Sequence, residues 1–172
     1  MDAEELLEIV NEQGEILKVA ARSAIHGNPS LIHRVVHVLV FNKKGELLLQ
    51  KRSMNKDVAP GRWDTSVGGH VGIGEDLSTS SKREMHEELG ISGHEPEYLY
   101  SYLHSNPFET EHVTTYRCTH EGELFFNREE IDEVKFWSFA EIHQEIGKKT
   151  LSDNFENEFL TYLNYIAANP SQ

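Results

Sequence analysis

Short apolar runs separated by turn residues occupy much of the chain and predict β-strands. Residues 6–20 contain two such runs on either side of a turn at 11–14. The segment 33–41, HRVVHVLVF, is apolar on both faces near its centre, as a strand needs in a sheet covered on both sides. Further strands are predicted at 46–52, 63–69, 97–105, 112–120 and 131–139.

Helical spacing of apolar residues marks the remaining elements. Helices are predicted at 77–89, at 140–149 and near the end of the chain, where Phe155, Phe159 and Leu163 recur four residues apart. Residues 21–30 predict a short helix or turn. With no repeat, low-complexity segment or linker, the chain is predicted to be one domain, 1–172, with helices on a mixed sheet, an N-terminal β extension over about 1–30 and its main motif at 69–91.

The helix at 77–89 would carry three carboxylates on one face. Glu84, Glu87 and Glu88 stand at i, i+3 and i+4. Such carboxylates repel one another unless a cation lies between them, and a divalent cation such as Mg²⁺ would fill that role and bring a diphosphate substrate with it. Arg83 could pair with Glu87, and Glu75 could reach Arg83 from the loop. The alternative is a solvated acidic helix end, which would not explain the glycine-rich segment before the helix.

The net charge indicates which molecules the protein could bind, and the cysteine content indicates its cellular compartment. The net charge of −13, from 29 acidic and 16 basic residues, argues against a nucleic-acid or anionic-membrane surface. It agrees with a metal-dependent site for a small-molecule diphosphate. One cysteine, Cys118, excludes an intrachain disulfide, and the start MDAEELLEIV lacks the pattern of a signal peptide. We therefore expect a cytoplasmic protein that binds neither nucleic acid nor membrane.

The spacing from Gly69 to Ile91 resembles the signature of the Nudix hydrolases, G-x5-E-x7-R-E-U-x-E-E-x-G-U, where U is a bulky aliphatic residue. Every specified position is filled. These residues are Gly69, Glu75, Arg83, Glu84, Met85, Glu87, Glu88, Gly90 and Ile91. The resemblance implies an α/β/α sandwich with a mixed sheet between helices, and hydrolysis of a nucleoside diphosphate derivative or a similar small molecule.

The resemblance also assigns roles within the motif. Glu84, Glu87 and Glu88, with the carbonyl of Gly69, would ligate Mg²⁺ or Mn²⁺. The catalytic set would be Glu84, Glu87 and Arg83, with Glu84 as general base and a glutamate after the motif as the rival base. Arg83 and Glu75 would orient the carboxylates. Met85 and Leu89 are expected to pack the helix onto the sheet, and Gly90 to end it.

A second resemblance lies partly outside the motif. Residues 31–75 look like the type I isopentenyl diphosphate isomerases and the Nudix hydrolases nearest to them. Those isomerases bind a metal through three histidines and two glutamates. Counterparts here are His26, His33, His70, Glu109 and Glu111. Such a set would suit Mn²⁺, Zn²⁺ or Fe²⁺, although Glu109 or Glu111 could instead reach the metals of the helix.

One departure separates this chain from the isomerases. Their catalytic cysteine precedes the glycine and histidine that match Gly69 and His70, and that position is Gly68 here. Glycine has no side chain to protonate an alkene, and Cys118 is fifty residues away, so the sequence favours a hydrolase. The alternatives are an isopentenyl diphosphate isomerase and a non-catalytic domain that senses a nucleotide.

Other residues receive weaker assignments. Arg52 and Lys51 are the predicted phosphate-binding residues. His37 shares a strand face with His33 and is either near a site or simply buried, whereas His94, His104, His120 and His143 are interpreted as surface or hydrogen-bonded residues. A homodimer is the assembly expected for such a domain.

Overall fold

The computed structural model describes residues 4–170, which divide into two compact units. The first contains the described residues up to Leu39, together with Val67–Cys118 and Gly122–Phe125. The second contains Val40–Ser66, Thr119–Glu121 and the described residues from Phe126 onwards. The prediction of a single domain over 1–172 stays a prediction, and its ends at 1–3 and 171–172 lie outside the described residues.

The first unit contains strands from both halves of the chain. Its elements are β1 (Leu6–Val10), β2 (Ile16–Ala21), α1 (Arg22–Ile25), most of β3 (Ile32–Phe41), β6 (Val67–His70), α2 (Leu77–Leu89), β7 (Glu97–Ser105) and all but the last residue of β8 (Thr110–Thr119). The strand β1 pairs antiparallel with β2 and β3, β3 pairs antiparallel with β6, and β8 pairs with β3 and antiparallel with β7. The predicted N-terminal hairpin is confirmed.

Helix α2 has the predicted bounds because both of its ends carry local signals. The Asp76 carboxylate accepts a hydrogen bond from the backbone N–H of Thr79 at 2.7 Å, which caps the helix N-terminus. Gly90 ends it with a φ of 69°, a left-handed conformation that favours glycine. Met85 and Leu89 are buried, so this face packs into the core and the opposite face is left for the carboxylates.

The second unit consists of a small sheet and two helices. It contains the end of β3, then β4 (Leu47–Arg52), β5 (Trp63–Asp64), β9 (Ile131–Trp137), α3 (Phe139–Glu145) and α4 (Asp153–Ala168). The strand β4 pairs antiparallel with β5 and β9. Its core is aromatic, with Trp63 and Trp137 packed edge to face at 5.3 Å between ring centroids. The predicted α+β content is confirmed.

The strand predicted at 63–69 is wrong in one respect, because it is two strands. The segment Trp63–Asp64 pairs with β4 in the second unit, and Val67–His70 pairs with β3 in the first. The break falls at Thr65 and Ser66. The Ser66 hydroxyl donates to the carbonyl of Leu48 and accepts from the backbone N–H of Val40 at 3.0 Å, so this residue bonds to two strands through its side chain.

The helix predicted at 140–149 is shorter than expected. It begins with a capping box between Ser138 and Glu141 and ends at Glu145. Gly147 and Lys149 have φ values of 80° and 65°, which a continuing helix cannot contain. Among the described residues, no helix is long and apolar enough to cross a membrane.

Candidate metal centres

Strand β6 presents two groups of candidate ligands from one short segment. Its register with β3 pairs Val35 with His70, Val36 with Gly69 and His37 with Gly68. One group is the carboxylates of α2, beside Gly68 and Gly69. The other is a set of histidines and glutamates that includes His70. We call them the helix cluster (Glu75, Arg83, Glu84, Glu87 and Glu88) and the histidine cluster (His26, His33, His70, Glu109 and Glu111).

Arg83 is the centre of the helix cluster. Its guanidinium donates to Glu75 at 2.8 and 2.9 Å, to Glu84 at 2.8 Å and to Glu87 at 3.2 Å. A further N–H donates to the backbone carbonyl of His70 at 3.1 Å. The predicted pairing of Arg83 with Glu87 and the predicted reach of Glu75 are both present. The Arg83 guanidinium therefore holds three carboxylates in place and joins the helix to the end of β6.

The carboxylates of the helix cluster differ in their surroundings. Hydrogen bonds from Arg83 lower the pKa of Glu75 to about 2 against an opposing effect of burial, and the Ser80 hydroxyl and the Gly72 N–H add to the lowering. Burial raises the pKa of Glu84, and its hydrogen bond to Arg83 offsets only part of that rise. The same hydrogen bonds to Glu75 raise the pKa of the Arg83 guanidinium. Glu75 is thus a fixed anion, while Glu84 carries a charge that burial opposes.

Backbone atoms of β6 complete the helix cluster. The N–H of Gly68 donates to Glu88 at 3.1 Å. A Cβ added at Gly69 would clash with the carboxyl group of Glu84 where it now lies, so the glycine gives this carboxylate room beside the strand. Glu87 is exposed, whereas Glu84 and Glu88 are half-buried, and the exposed fraction of the side chain is 56% for Glu87 against 12% for Glu84.

The histidine cluster gathers residues that the chain separates widely. His26 caps the C-terminus of α1, His33 lies on β3, and His70 ends β6. Glu109 precedes β8, and Glu111 lies on it. Ring centroids are 5.1 Å apart for His33 and His70, and 6.4 Å for His26 with each of them. All five predicted ligands of the second site therefore come together.

Carboxylates approach the rings without forming hydrogen bonds to them. Nε2 of His33 lies 3.7 Å from both Glu109 and Glu111, and Nε2 of His26 lies 3.6 Å from Glu109. Ligand atoms of His33, Glu109 and Glu111 all fall within 4.8 Å of one another. These separations exceed hydrogen-bond length. They suit ligand atoms that bind the same metal ion.

The centre of the histidine cluster contains polar atoms that the described part of the chain does not satisfy. His33 is fully buried, and neither of its ring nitrogens has a hydrogen-bond partner among the described residues; the same holds for Oε1 of Glu111. Leaving a buried polar atom unpaired costs about 1–3 kcal/mol. A metal ion is the kind of group that would satisfy such atoms.

Burial within the histidine cluster opposes protonation of His26 and His70. Burial lowers the pKa of His26, and Arg22 lowers it further. Burial also lowers the pKa of His70 more than the Glu5 carboxylate raises it. Burial and the charge of Glu111 raise the pKa of Glu109. Neutral imidazoles are the form that binds metals.

The turn before β8 places the two glutamates. Asn106 accepts from the backbone N–H groups of Phe108 and Glu109, both at 2.8 Å. The N–H of Gly27 donates to the carbonyl of Phe108 at 2.7 Å, and the Thr110 hydroxyl donates to that of Pro29 at 2.7 Å. These bonds join the turn to the segment between α1 and β3, which brings Glu109 to His26.

Two residues of this region, His104 and Glu5, have no assignment to it from the sequence. The sequence interpretation of His104 as a surface or hydrogen-bonded residue stays a prediction; the residue lies opposite Glu111 in the β7–β8 register, and its Nε2 is buried. Burial opposes the charge of Glu111, yet the neighbouring rings of His33, His37 and His104 outweigh it and lower that pKa. Glu5, from the segment before β1, accepts a hydrogen bond from His70. The strand register could have suggested His104, but no local signal indicates Glu5.

His37 faces the position at which the isomerases have their cysteine. A Cβ added at Gly68 would lie 3.1 Å from Cδ2 of His37, and His37 is buried. Cys118 lies on β8 seven residues from Glu111, which puts the two side chains on opposite faces of the strand. Burial raises the pKa of the Cys118 thiol to about 11. The structure therefore gives Cys118 no place in either cluster.

The predicted phosphate-binding residues Lys51 and Arg52 lie on β4, in the second unit. The Arg52 guanidinium donates to the carbonyl of Val58 at 2.7 Å and to Asp64 at 3.2 Å. These bonds anchor the loop that follows β4. A phosphate-binding role for Lys51 and Arg52 stays a prediction.

The two clusters fit different ions. The helix cluster offers carboxylates beside the backbone at Gly69, and oxygen donors suit Mg²⁺ or Mn²⁺. The histidine cluster combines imidazole with carboxylate, and it contains the unsatisfied atoms of His33 and Glu111. That donor set suits Mn²⁺, Zn²⁺ or Fe²⁺.

Comparison with known proteins identifies a family and a branch. A family model described as the NUDIX domain matches residues 31–160. The isopentenyl-diphosphate Delta-isomerase of Streptomyces avermitilis is 33% identical over 175 residues, covering 96% of this chain and 84% of that protein. The uncharacterized Nudix hydrolase YfcD of Salmonella typhi is 32% identical over 142 residues, covering 80% and 74%.

Solved structures agree with these matches. DR0079 from Deinococcus radiodurans is 26% identical, with a TM-score of 0.66 over 84% of this chain and 90% of that one. The predicted fold class and the predicted resemblance, including its isomerase-like branch, are confirmed.

Proposed function

Because the chain belongs to the Nudix hydrolase family, in a branch similar to the isopentenyl diphosphate isomerases, we propose that it is a metal-dependent hydrolase of a small-molecule diphosphate. The proposed substrate class is a nucleoside diphosphate derivative or a similar molecule. The observation that carries the proposal is the helix cluster, in which the complete motif is folded around Arg83 beside β6.

Within this proposal, Glu84, Glu87, Glu88 and the carbonyl of Gly69 would hold Mg²⁺ or Mn²⁺. The ions would neutralise phosphate oxygens and lower the pKa of bound water. Glu84 is the proposed general base, since burial raises its pKa toward the range in which a carboxylate accepts a proton at neutral pH. Arg83 and Glu75 hold the carboxylates in place.

The histidine cluster is the proposed site of a second ion. His26, His33, His70, Glu109 and Glu111 would be its ligands, and the main support is the unsatisfied Nε2 of His33, which lies 3.7 Å from both glutamates. Its ligands and those of the helix cluster meet at consecutive residues of β6, Gly69 and His70. The role proposed for this ion is to help orient the diphosphate.

The test is turnover of a panel of diphosphates with Mg²⁺ or Mn²⁺, using the wild type and Glu88→Gln. Metal-dependent release of phosphate or a nucleoside monophosphate by the wild type, and its loss in the variant, would support the proposal. Normal turnover by Glu88→Gln would contradict the proposal that Glu88 is a metal ligand. Binding of a panel member without its turnover, with either Mg²⁺ or Mn²⁺, would favour a domain that senses a nucleotide.

The second candidate is an isopentenyl diphosphate isomerase. The 33% identity to the Streptomyces avermitilis enzyme over most of both chains favours it, and so does the convergence of the histidine cluster. Gly68 opposes it, because an isomerase needs an acid beside the alkene. The ring that faces Gly68 is that of His37.

The proposed setting is the cytoplasm, with a small molecule as the partner and neither nucleic acid nor membrane bound. The single cysteine and the net charge of −13 support it. A homodimer is the proposed assembly.

A further inference from the structure

We infer that Glu5 is a positioning residue of the histidine cluster, which holds His70 in the tautomer and orientation needed for metal binding through Nε2. The inference rests on the proposed metal role of this cluster. It assigns a function to the segment before β1, which lies outside the region 31–160 that the family model matches.

The contact between Glu5 and His70 fixes which ring nitrogen is free. Nδ1 of His70 lies 3.2 and 3.3 Å from the two carboxylate oxygens of Glu5. An ionised carboxylate only accepts hydrogen bonds, so Nδ1 must carry the hydrogen and the lone pair must be on Nε2. A metal-binding histidine usually donates its other N–H to a carboxylate or carbonyl in this way.

Glu5 is itself held from two directions. Its backbone carbonyl accepts from the N–H of Arg22 at 2.9 Å, and its carboxylate lies 3.5 Å from the Arg22 guanidinium. The preceding carboxylate, Glu4, accepts from the N–H of Ser23 at 2.7 Å. Arg22 begins α1, and His26 caps its C-terminus. The same segment therefore supports two of the three histidines.

His70 is tied at its backbone as well as at its ring. Its carbonyl accepts from Arg83 of the helix cluster at 3.1 Å, while its ring bonds to Glu5. With the backbone fixed by one cluster, the ring rotation is the remaining freedom. The contact with Glu5 removes that freedom.

The first experiment measures metal affinity in the full chain. Co²⁺ is titrated in the presence of excess Mg²⁺, which occupies carboxylate-only sites, and binding is followed by calorimetry and by the visible absorption of the bound ion. Four proteins are compared. These are the wild type, Glu5→Met, Glu12→Met and His33→Leu. Glu12 is exposed in the turn between β1 and β2, so Glu12→Met makes the same substitution away from the cluster.

We expect Glu5→Met to weaken Co²⁺ binding by about 10–100-fold, the effect usual for a partner of a metal-binding histidine. Glu12→Met should bind as the wild type does, and His33→Leu should abolish the binding. Wild-type affinity in Glu5→Met, with binding lost in His33→Leu, would overturn the inference and leave the metal site intact. Wild-type binding in His33→Leu, or none in the wild type, would instead overturn the metal site and the inference with it.

The second experiment reports the tautomer without any metal. Imidazole ¹⁵N chemical shifts of metal-free protein should show His70 with its hydrogen on Nδ1 in the wild type and in Glu12→Met. Glu5→Met should shift the population toward Nε2–H. Unchanged His70 shifts in Glu5→Met would contradict a positioning role, and they would do so whether or not the cluster binds metal.

Discussion

The helix cluster and the histidine cluster are two acidic sites, linked by β6, that balance their charges in different ways. In the helix cluster Arg83 donates hydrogen bonds to Glu75, Glu84 and Glu87. In the histidine cluster no arginine reaches Glu109 or Glu111 within ion-pair distance among the described residues. Instead, imidazole nitrogens of His26 and His33 lie 3.6–3.7 Å from the carboxylates.

This difference separates a site that the protein stabilises itself from one that needs an added ion. The helix cluster has its own cation, so its geometry should persist without metal. At the histidine cluster, the described residues provide no hydrogen-bond partner for either ring nitrogen of His33. Substitutions should therefore affect stability in opposite directions at the two sites.

The largest expected effect is on turnover. We expect Glu88→Gln to lower kcat/KM for a cleaved diphosphate by more than about 100-fold, since loss of a residue that only supports a metal ligand already costs about 10–100-fold. Steady-state kinetics with Mg²⁺ and Mn²⁺ would measure it. Glu95→Gln, on an exposed residue that pairs with Lys82, is the matched control and should leave turnover unchanged.

At the histidine cluster, His33→Leu should make the free energy of unfolding independent of added metal. Without metal we expect its free energy of unfolding to equal or exceed that of the wild type, because leucine removes two buried nitrogens left unpaired in the described structure. Zn²⁺ at 100 times its Kd should stabilise the wild type by about 2.7 kcal/mol and the variant by nothing. Urea unfolding with and without Zn²⁺ tests both statements, and a large loss of stability in the metal-free variant would contradict them.

At the helix cluster, Arg83→Leu should destabilise the metal-free protein by about 1–3 kcal/mol. The substitution leaves Glu75 and Glu84 without their cation, and partial exposure of Arg83 reduces the effect below that of a fully buried pair. Lys82→Leu removes the same charge one residue earlier, from an exposed ion pair, and should cost less than about 1 kcal/mol. Equal losses in urea unfolding would show that Arg83 has no special role.

The stability of the protein should also depend on pH through the carboxylate of Glu75. Its pKa of about 2 in the folded protein is below the ordinary value of 4.5, so the stability it contributes is complete above pH 4.5 and is lost as the pH falls toward 2. Unfolding free energies measured across this window should fall less steeply in Glu75→Gln than in the wild type. Glu95→Gln should show the wild-type dependence of unfolding free energy on pH. If Glu75→Gln shows that same dependence, the lowered pKa of Glu75 is contradicted.

The two clusters also differ in how far the sequence predicted them. Helix α2 has the predicted bounds because Asp76 and Gly90 cap it and its carboxylates follow helical spacing. These signals are local. The same holds for the contact of Arg83 with Glu87, one helical turn away.

The histidine cluster depends on long-range register, which one sequence does not contain. The family resemblance supplied its five members, but not His104, which pairing of β7 with β8 places opposite Glu111. Glu5 reaches His70 across 65 positions of the chain, and nothing in its neighbourhood indicates this. The break between β5 and β6 was missed for a similar reason, since Ser66 bonds through its side chain to Val40 and Leu48.

One NMR measurement distinguishes the proposed hydrolysis of a diphosphate by this isomerase-like Nudix protein from isomerisation. The wild type is incubated with Mn²⁺ or Mg²⁺ and a panel that includes isopentenyl diphosphate and nucleoside diphosphate derivatives, and ³¹P and ¹H spectra are followed together. We expect metal-dependent cleavage of a P–O–P linkage in at least one member of the panel, with the double bond of isopentenyl diphosphate unmoved. Migration of that double bond, with every diphosphate intact, would contradict it.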